Sequence, residues 1–309
     1  MRKRFQFVGF VLLINIWQCH SVAQQKRPSS ARDAANSIIK IKTEQNAIVW
    51  LDDVRRGTTD GSGFLNLDKI NAGRHVLRVR ALGFSEKTVP LTPGNSLITV
   101  PLIRTTDLAE LAFQKAEEAA DKAHDEEARK AAAGLYREAI KLRPNRPAAH
   151  LGLARTLLEL NDFRGALAEV KEARRYRPIY PEASAVEGRI HRTSAFMDQA
   201  IESFKRSIRE AHGFQPEAHT GLALVYEDQG QYDQAIAEFQ RAIQQLSDTE
   251  PLLYQLLGSI YERQEKYKDA VEAYEKYLEL APNGNLAPAI RSVIDQLRKQ
   301  ASGEQLMPK

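Results

Sequence analysis

The chain has 309 residues, 43% hydrophobic and 27% charged, an ordinary globular balance with length for two domains once any leader is removed. Its net charge of +4 is too small to imply a nucleic-acid partner without a clustered basic patch. Cys19 is the single cysteine, so removal of a leader would exclude disulfides, thiol catalysis and thiolate metal sites.

Arg2, Lys3 and Arg4 give the start of the chain positive charge, and Phe7 to Trp17 follows as a short apolar run. Ser21-Val22-Ala23 then places small residues where a signal peptidase reads. This predicts a secretory leader over 1–23, cleaved before Gln24. The apolar run is too short for a standard membrane-spanning helix. An uncleaved N-terminal anchor is the competing reading. Gln18, not a small residue, precedes Cys19, which argues against a lipid anchor. The expected location is the periplasmic or extracellular side of a bacterial cell envelope, with no integral span after cleavage.

Polar residues 24–36 read as a linker. From 37 to 105 the pattern is that of strands. "AIVWLDD" is β-rich, Leu77, Val79 and Ala81 alternate with Arg78, Arg80 and Leu82, and "SLITVPL" is a further strand. "TTDGSG", "NAGRH", "LGF" and "TPGN" supply the turns. A small all-β sandwich is expected, near the lower size limit for an independent core. The segment resembles a PEGA domain. Ala47, Val49 and Leu51 alternate before Asp52, Gly57-Thr58-Thr59 follows, and Gly73-Arg74-His75 and Gly83-Phe84 come after. Asp53 stands where that family usually has Gly, and no Pro follows Thr58. "TTDGSGFLNL" is closer to the carboxypeptidase-regulatory-like domains, a related sandwich. Both resemblances imply an exported accessory module, not a catalyst.

From Asp107 to about Gln300 the pattern is helical and periodic. Ala132, Ala166, Ala200, Ala235 and Ala270 are spaced by 34, 34, 35 and 35 residues. Four residues after each stand Tyr136, Val170, Phe204, Phe239 and Tyr274; twelve before stand Ala120, Ala154, Gly188, Ala223 and Gly258. Pro144, Pro178 and Pro282 stop helices at a matching position. The pattern resembles the tetratricopeptide repeat, a helix-turn-helix unit of about 34 residues. It implies an all-α superhelix over 107–285, with five units at about 113–146, 147–180, 181–215, 216–250 and 251–284. A capping helix over 286–300 and a tail over 301–309 are expected to follow. Ala116, His191 and Tyr277 depart from the family pattern.

No Walker loop, dinucleotide fingerprint, GxSxG, HExxH or zinc spacing occurs, so no catalytic residue, cofactor or metal is assigned. His150, His191 and His219 are expected to pack. "DGSGF" reads as a hairpin turn, lacking the rest of a calcium loop. Arg174 to Arg177, the densest basic cluster, reads as cations at a helix C-terminus. Trp50 is expected to face away from Val49 and Leu51, where it could stack on a sugar or peptide or cover an interdomain contact.

In the tetratricopeptide family the first helix of each unit lines the concave face. Carried onto this sequence, that register points Asp121 and His124, Arg155 and Leu158, Arg189 and Arg192, Leu224 and Glu227, and Ser259 and Glu262 outward. Arg155, Arg189 and Arg192 are expected to converge, an arrangement suited to a carboxylate or acidic segment. The competing assignment leaves them solvated or paired with Glu159, Glu182 or Glu217. The resemblance thus implies a non-enzymatic scaffold that binds a protein or peptide segment, acidic or C-terminal, and no nucleic acid. The alternative is a cell-wall or carbohydrate-binding module in which the sandwich binds and the repeats are a spacer.

Overall fold

The computed structural model describes residues 38–67, 70, 74–91, 96–246 and 249–301. The leader at 1–23, the linker at 24–36, the tail beyond 301, Gly73 and the turn at 92–95 lie outside the described residues. The strands are β1 (Ile39–Lys42), β2 (Ile48–Leu51), β3 (Val54–Thr58), β4 (Phe64–Leu67), β5 (His75–Arg80), β6 (Lys87–Leu91) and β7 (Leu97–Thr99). The helices are α1 (Leu108–Asp121), α2 (Glu126–Leu142), α3 (Pro147–Glu159), α4 (Phe163–Tyr176), α5 (Pro181–Thr193) and α6 (Met197–Glu210). They continue as α7 (Pro216–Asp228), α8 (Tyr232–Gln245), α9 (Pro251–Arg263), α10 (Tyr267–Leu280) and α11 (Ala287–Ala301).

The strands form two sheets, ordered β4-β1-β7 and β3-β2-β5-β6. Side chains alternate across a strand, so each strand offers one row to the space between the sheets. Ile39 and Ile41 from one sheet and Val49, Leu51, Leu77 and Val79 from the other form a single buried cluster there. The opposite face of the four-stranded sheet carries Ile48, Trp50, Arg78 and Arg80, with Trp50 opposite Arg78 and Ile48 opposite Arg80. Asp52 and Asp53 make the two-residue turn from β2 to β3, at φ 50° and 62°. Both left-handed residues suit the twist of a tight hairpin. Asp52 also ties the turn to β5: its Oδ1 accepts from the Val76 N–H at 2.8 Å and its Oδ2 lies 2.6 Å from His75 Nδ1.

The helices pair as antiparallel hairpins, and the period seen in the sequence is their packing period. Ala132, Ala166, Ala200, Ala235 and Ala270 are all fully buried. The large residues four positions later are buried beside them. Gly152, Gly188 and Gly258 leave room for those rings: a Cβ there would lie 2.4 Å from Tyr136, 2.7 Å from Phe204 and 2.7 Å from Tyr274. Pro147, Pro181, Pro216 and Pro251 start the first helix of the later units, where a missing N–H has no consequence. α1 begins ahead of position 113, at Leu108, capped by the Asp107 carboxylate. Tyr277 reaches toward α11, whose Ile290, Ile294 and Leu297 close the last apolar face.

The two units meet directly. The Thr105 N–H donates to the Gly83 carbonyl at 3.0 Å, two residues before the α1 cap. Gln114 of α1 accepts from the Gly83 N–H at 2.8 Å and donates to the Phe84 carbonyl at 2.7 Å. Arg80 pairs with Glu117, and Arg55 with Asp121 at 3.0 Å. The Trp50 face of the sheet is therefore turned toward the helices.

Candidate functional site

First helices of successive units touch in the series α1, α3, α5, α7, which makes them one continuous inner face. A groove of about 1920 Å³ separates this face from the Trp50 face of the sheet. Trp50, Asp53, Val76 and Arg78 line one wall; Arg155, Tyr180, Glu182, Arg189, Leu224 and Leu252 line the other.

Of the ten positions that the register points outward, Asp121, Arg155, Leu158, Arg189, Arg192 and Leu224 line it. Leu158 is buried beneath its surface. His124, Glu227, Ser259 and Glu262 lie outside that lining. Glu227 meets Arg263 at 3.4 Å, Ser259 donates to the Leu256 carbonyl at 2.8 Å, and Glu262 accepts from the Tyr274 hydroxyl at 3.1 Å. α9 reaches the groove through Leu252, Leu253 and Leu256 in its first half, and Ser259 and Glu262 lie further along it.

The three arginines do not form one cluster. Arg155 and Arg189 share Glu217, at 3.8 and 3.6 Å, and their side chains stay 43% and 45% exposed. Pairs this exposed and long contribute little and exchange readily. Arg192 is held by Asp228 at 2.7 Å instead. Of the other acids weighed as partners, Glu159 is bound by Arg129 at 3.2 Å.

Glu182, in the first turn of α5, has no ion pair among the described residues, and its buried Oε2 has no hydrogen-bond partner. Burial raises its pKa and the nearby Asp53 charge adds to the rise, against a hydrogen bond from its own backbone N–H and the weaker pull of Arg177 and Arg155. Burial, with Glu182 beside it, pushes the neighbouring Tyr180 phenol up to about 12. Neither residue stands out in the sequence, where they flank a routine helix-starting proline. The loop residues Ile179 and Phe214, each two before such a proline, expose apolar side chains along the same groove.

Trp50 has guanidinium groups over its ring, Arg78 at 4.4 Å and Arg80 at 4.9 Å from the centroid. It lines the groove on the sheet side. The basic run also disperses onto protein groups: Arg174 binds Glu210 at 2.7 Å, Arg175 meets Glu172 at 3.4 Å, and Arg177 lies over Tyr180. His150 and His219 sit between paired helices against Glu169 and Glu238, at 2.7 and 2.6 Å. Among the described residues no group of three or more His, Cys, Asp or Glu gathers as metal ligands, and no helix is long and apolar enough to cross a membrane.

Residues 108–190 and 214–283 match two family models, each described as tetratricopeptide repeat. The chain carries tetratricopeptide repeats. Solved structures agree on the fold. TTC0263, a thermophilic TPR protein in Thermus thermophilus, is 23% identical over 62% of this chain and 98% of that one, with a TM-score of 0.51. Pseudomonas aeruginosa pilF is 12% identical over 63% and 86%, at 0.53. PilW, a widely conserved type IV pilus biogenesis factor, is 16% identical over 65% and 90%, at 0.55. At these identities the likeness shows the fold alone. No curated protein matches the chain. Tetratricopeptide proteins generally mediate protein–protein interaction, and the groove lies on the inner face of these repeats.

Proposed function

We propose that this chain is an exported, non-enzymatic scaffold that holds a segment of a protein partner in the groove. The observation that carries the reading is the groove's surface. Exposed apolar side chains of Ile179, Phe214 and Leu252 stand on the same walls as the half-exposed Arg155 and Arg189. An extended segment offers both kinds of contact, apolar side chains to bury and carboxylates for the guanidinium forks. An acidic side chain or C-terminal carboxylate would take the place of Glu217 between Arg155 and Arg189.

The β unit is, on this reading, a PEGA-like accessory module. Its support is the Asp52–His75 contact, which joins the Gly-x-His signal to the turn after the first alternating strand. Export rests on the leader anatomy at 1–23, and the mass of the exported protein tests it: cleavage leaves a chain starting at Gln24. A lipid-sized increment on a chain retaining Cys19 would show a membrane anchor instead.

The groove is tested with Arg155→Glu combined with Arg189→Glu in the full chain, after circular dichroism shows an intact fold. Binding to the partner captured by cross-linking in the native envelope is expected to weaken more than about tenfold, roughly 1.4 kcal/mol. Unchanged affinity would move the site away from these helices.

A further inference from the structure

Buried polar groups in folded proteins are almost always hydrogen-bonded, so those left over point to something missing. Five buried side-chain polar atoms lack a partner among the described residues, and three of them belong to groove residues: Arg78 Nε, Arg146 Nε and Glu182 Oε2. The two arginines are engaged through their other nitrogens. Arg78 meets Asp53 at 3.3 Å and Glu86 at 3.5 Å, and Arg146 pairs with Glu110. Glu182 accepts only from its own backbone N–H, which leaves Oε2 without a bond. The arginines near it make no ion pair with it: Arg155 lies 3.8 Å from Glu217, and Arg177 lies over the Tyr180 ring at 4.4 Å. The helix N-terminus favours a carboxylate at this position. It does not account for an unbonded buried oxygen in a groove that Asp53 also lines, close enough for its charge to act on Glu182.

The surroundings specify what would satisfy it. Asp53 is 56% exposed at the tip of the β2–β3 hairpin. Ile179 and Val76, 68% and 49% exposed, flank the same stretch of groove. Lysine and arginine carry an apolar stem behind a charged head and bury the stem along such surfaces. Resting on the groove reading above, we infer that Glu182 and Asp53 together receive a lysine or arginine side chain of the partner segment, its stem lying against Ile179 and Val76. The β unit is then half of the binding site, and the ligand is clasped between the hairpin and α5.

A short-peptide display library selected against the full chain tests this. Peptides enriched on the native protein are expected to share a lysine or arginine. Replacing that residue by glutamine is expected to weaken binding at least about tenfold on the native chain. The same replacement is expected to have no effect on Glu182→Gln or Asp53→Asn, both confirmed folded by circular dichroism. Asn tolerates the left-handed backbone of the turn, so the second variant keeps the hairpin. Enriched peptides without a common basic residue, or a basic preference that survives in both variants, would overturn the inference while leaving the groove reading standing. Failure to enrich any peptide would overturn the groove reading itself.

Discussion

The Arg80 guanidinium lies 5.2 Å from the centroid of the Phe113 ring, joining the end of β5 to the first turns of α1. It also meets Glu117, the Trp50 ring and, at 3.9 Å, Glu86. Arg80 is only 7% exposed, so removing it leaves a partly buried carboxylate and an uncovered aromatic pair. Arg80→Ala is expected to destabilise the docked state by about 3 kcal/mol, the low end for breaking a buried pair, because Glu117 regains water. Calorimetry should then resolve separate transitions for the two units. A single transition at the native temperature would show that the remaining contacts, from Gln114, Thr105 and Arg55, suffice to hold them.

Two helical glycines should respond to alanine with opposite sign. A Cβ on Gly221 would lie 2.3 Å from the Phe204 ring, which Gly188 also confines. Gly221→Ala is expected to cost about 1–3 kcal/mol through overpacking. Gly134 in α2 has nothing within 4 Å of its Cβ position. Gly134→Ala is expected to stabilise by up to about 1 kcal/mol, the propensity difference. Urea unfolding of both measures this; a shared sign would refute the packing of α7 on α6.

The turn inside each later unit passes through a left-handed residue: Asn161, Ala195, Gly230 and Glu265, at φ from 57° to 71°. Only Gly230 adopts that backbone freely. The left-handed conformation disfavours an L side chain by about 1–2 kcal/mol, and alanine has no polar group to offset it. Ala195→Gly is expected to raise stability by about 1 kcal/mol, less the entropy glycine gains when unfolded. A lowered melting temperature would show that the unfolded-state term dominates.

Two histidines, buried His150 and partly buried His191, should shape the pH dependence in opposite directions. For His150, burial opposes the charged ring, but hydrogen bonds to Glu169 and the Pro144 carbonyl outweigh it, and the pKa is raised. A raised folded pKa means stability fully present below the unfolded value and lost as pH rises through the folded one. For His191, burial is the largest cause and the pKa is lowered; Arg206 adds to the fall, and Glu187 opposes it without reversing it. Its contribution is present above the unfolded value and lost as pH falls through the folded one. Unfolding midpoints between about pH 5 and 8 are expected to fall more steeply with acid in His150→Gln and less steeply in His191→Gln than in the native chain. Parallel curves for all three would remove both histidines from the pH response.

The sequence by itself determined the repeat. Ala132 to Ala270 recur because each packs against helices of its own or an adjacent unit, and contacts that local recur at the period of the chain. The same locality made the inward rows of the strands legible, Leu77 and Val79 among them. It could not show that Arg80, read from its alternation as an outward residue, would be buried on another unit. The sequence named Glu217 among three acids that could pair with the arginines but could not choose the one that Arg155 and Arg189, 62 and 28 residues before it, share, nor place Glu182 and Asp53 on one groove. Those relationships depend on where the β unit docks and how the solenoid curves. Both are set by contacts between residues far apart in the chain, which leave no period to read.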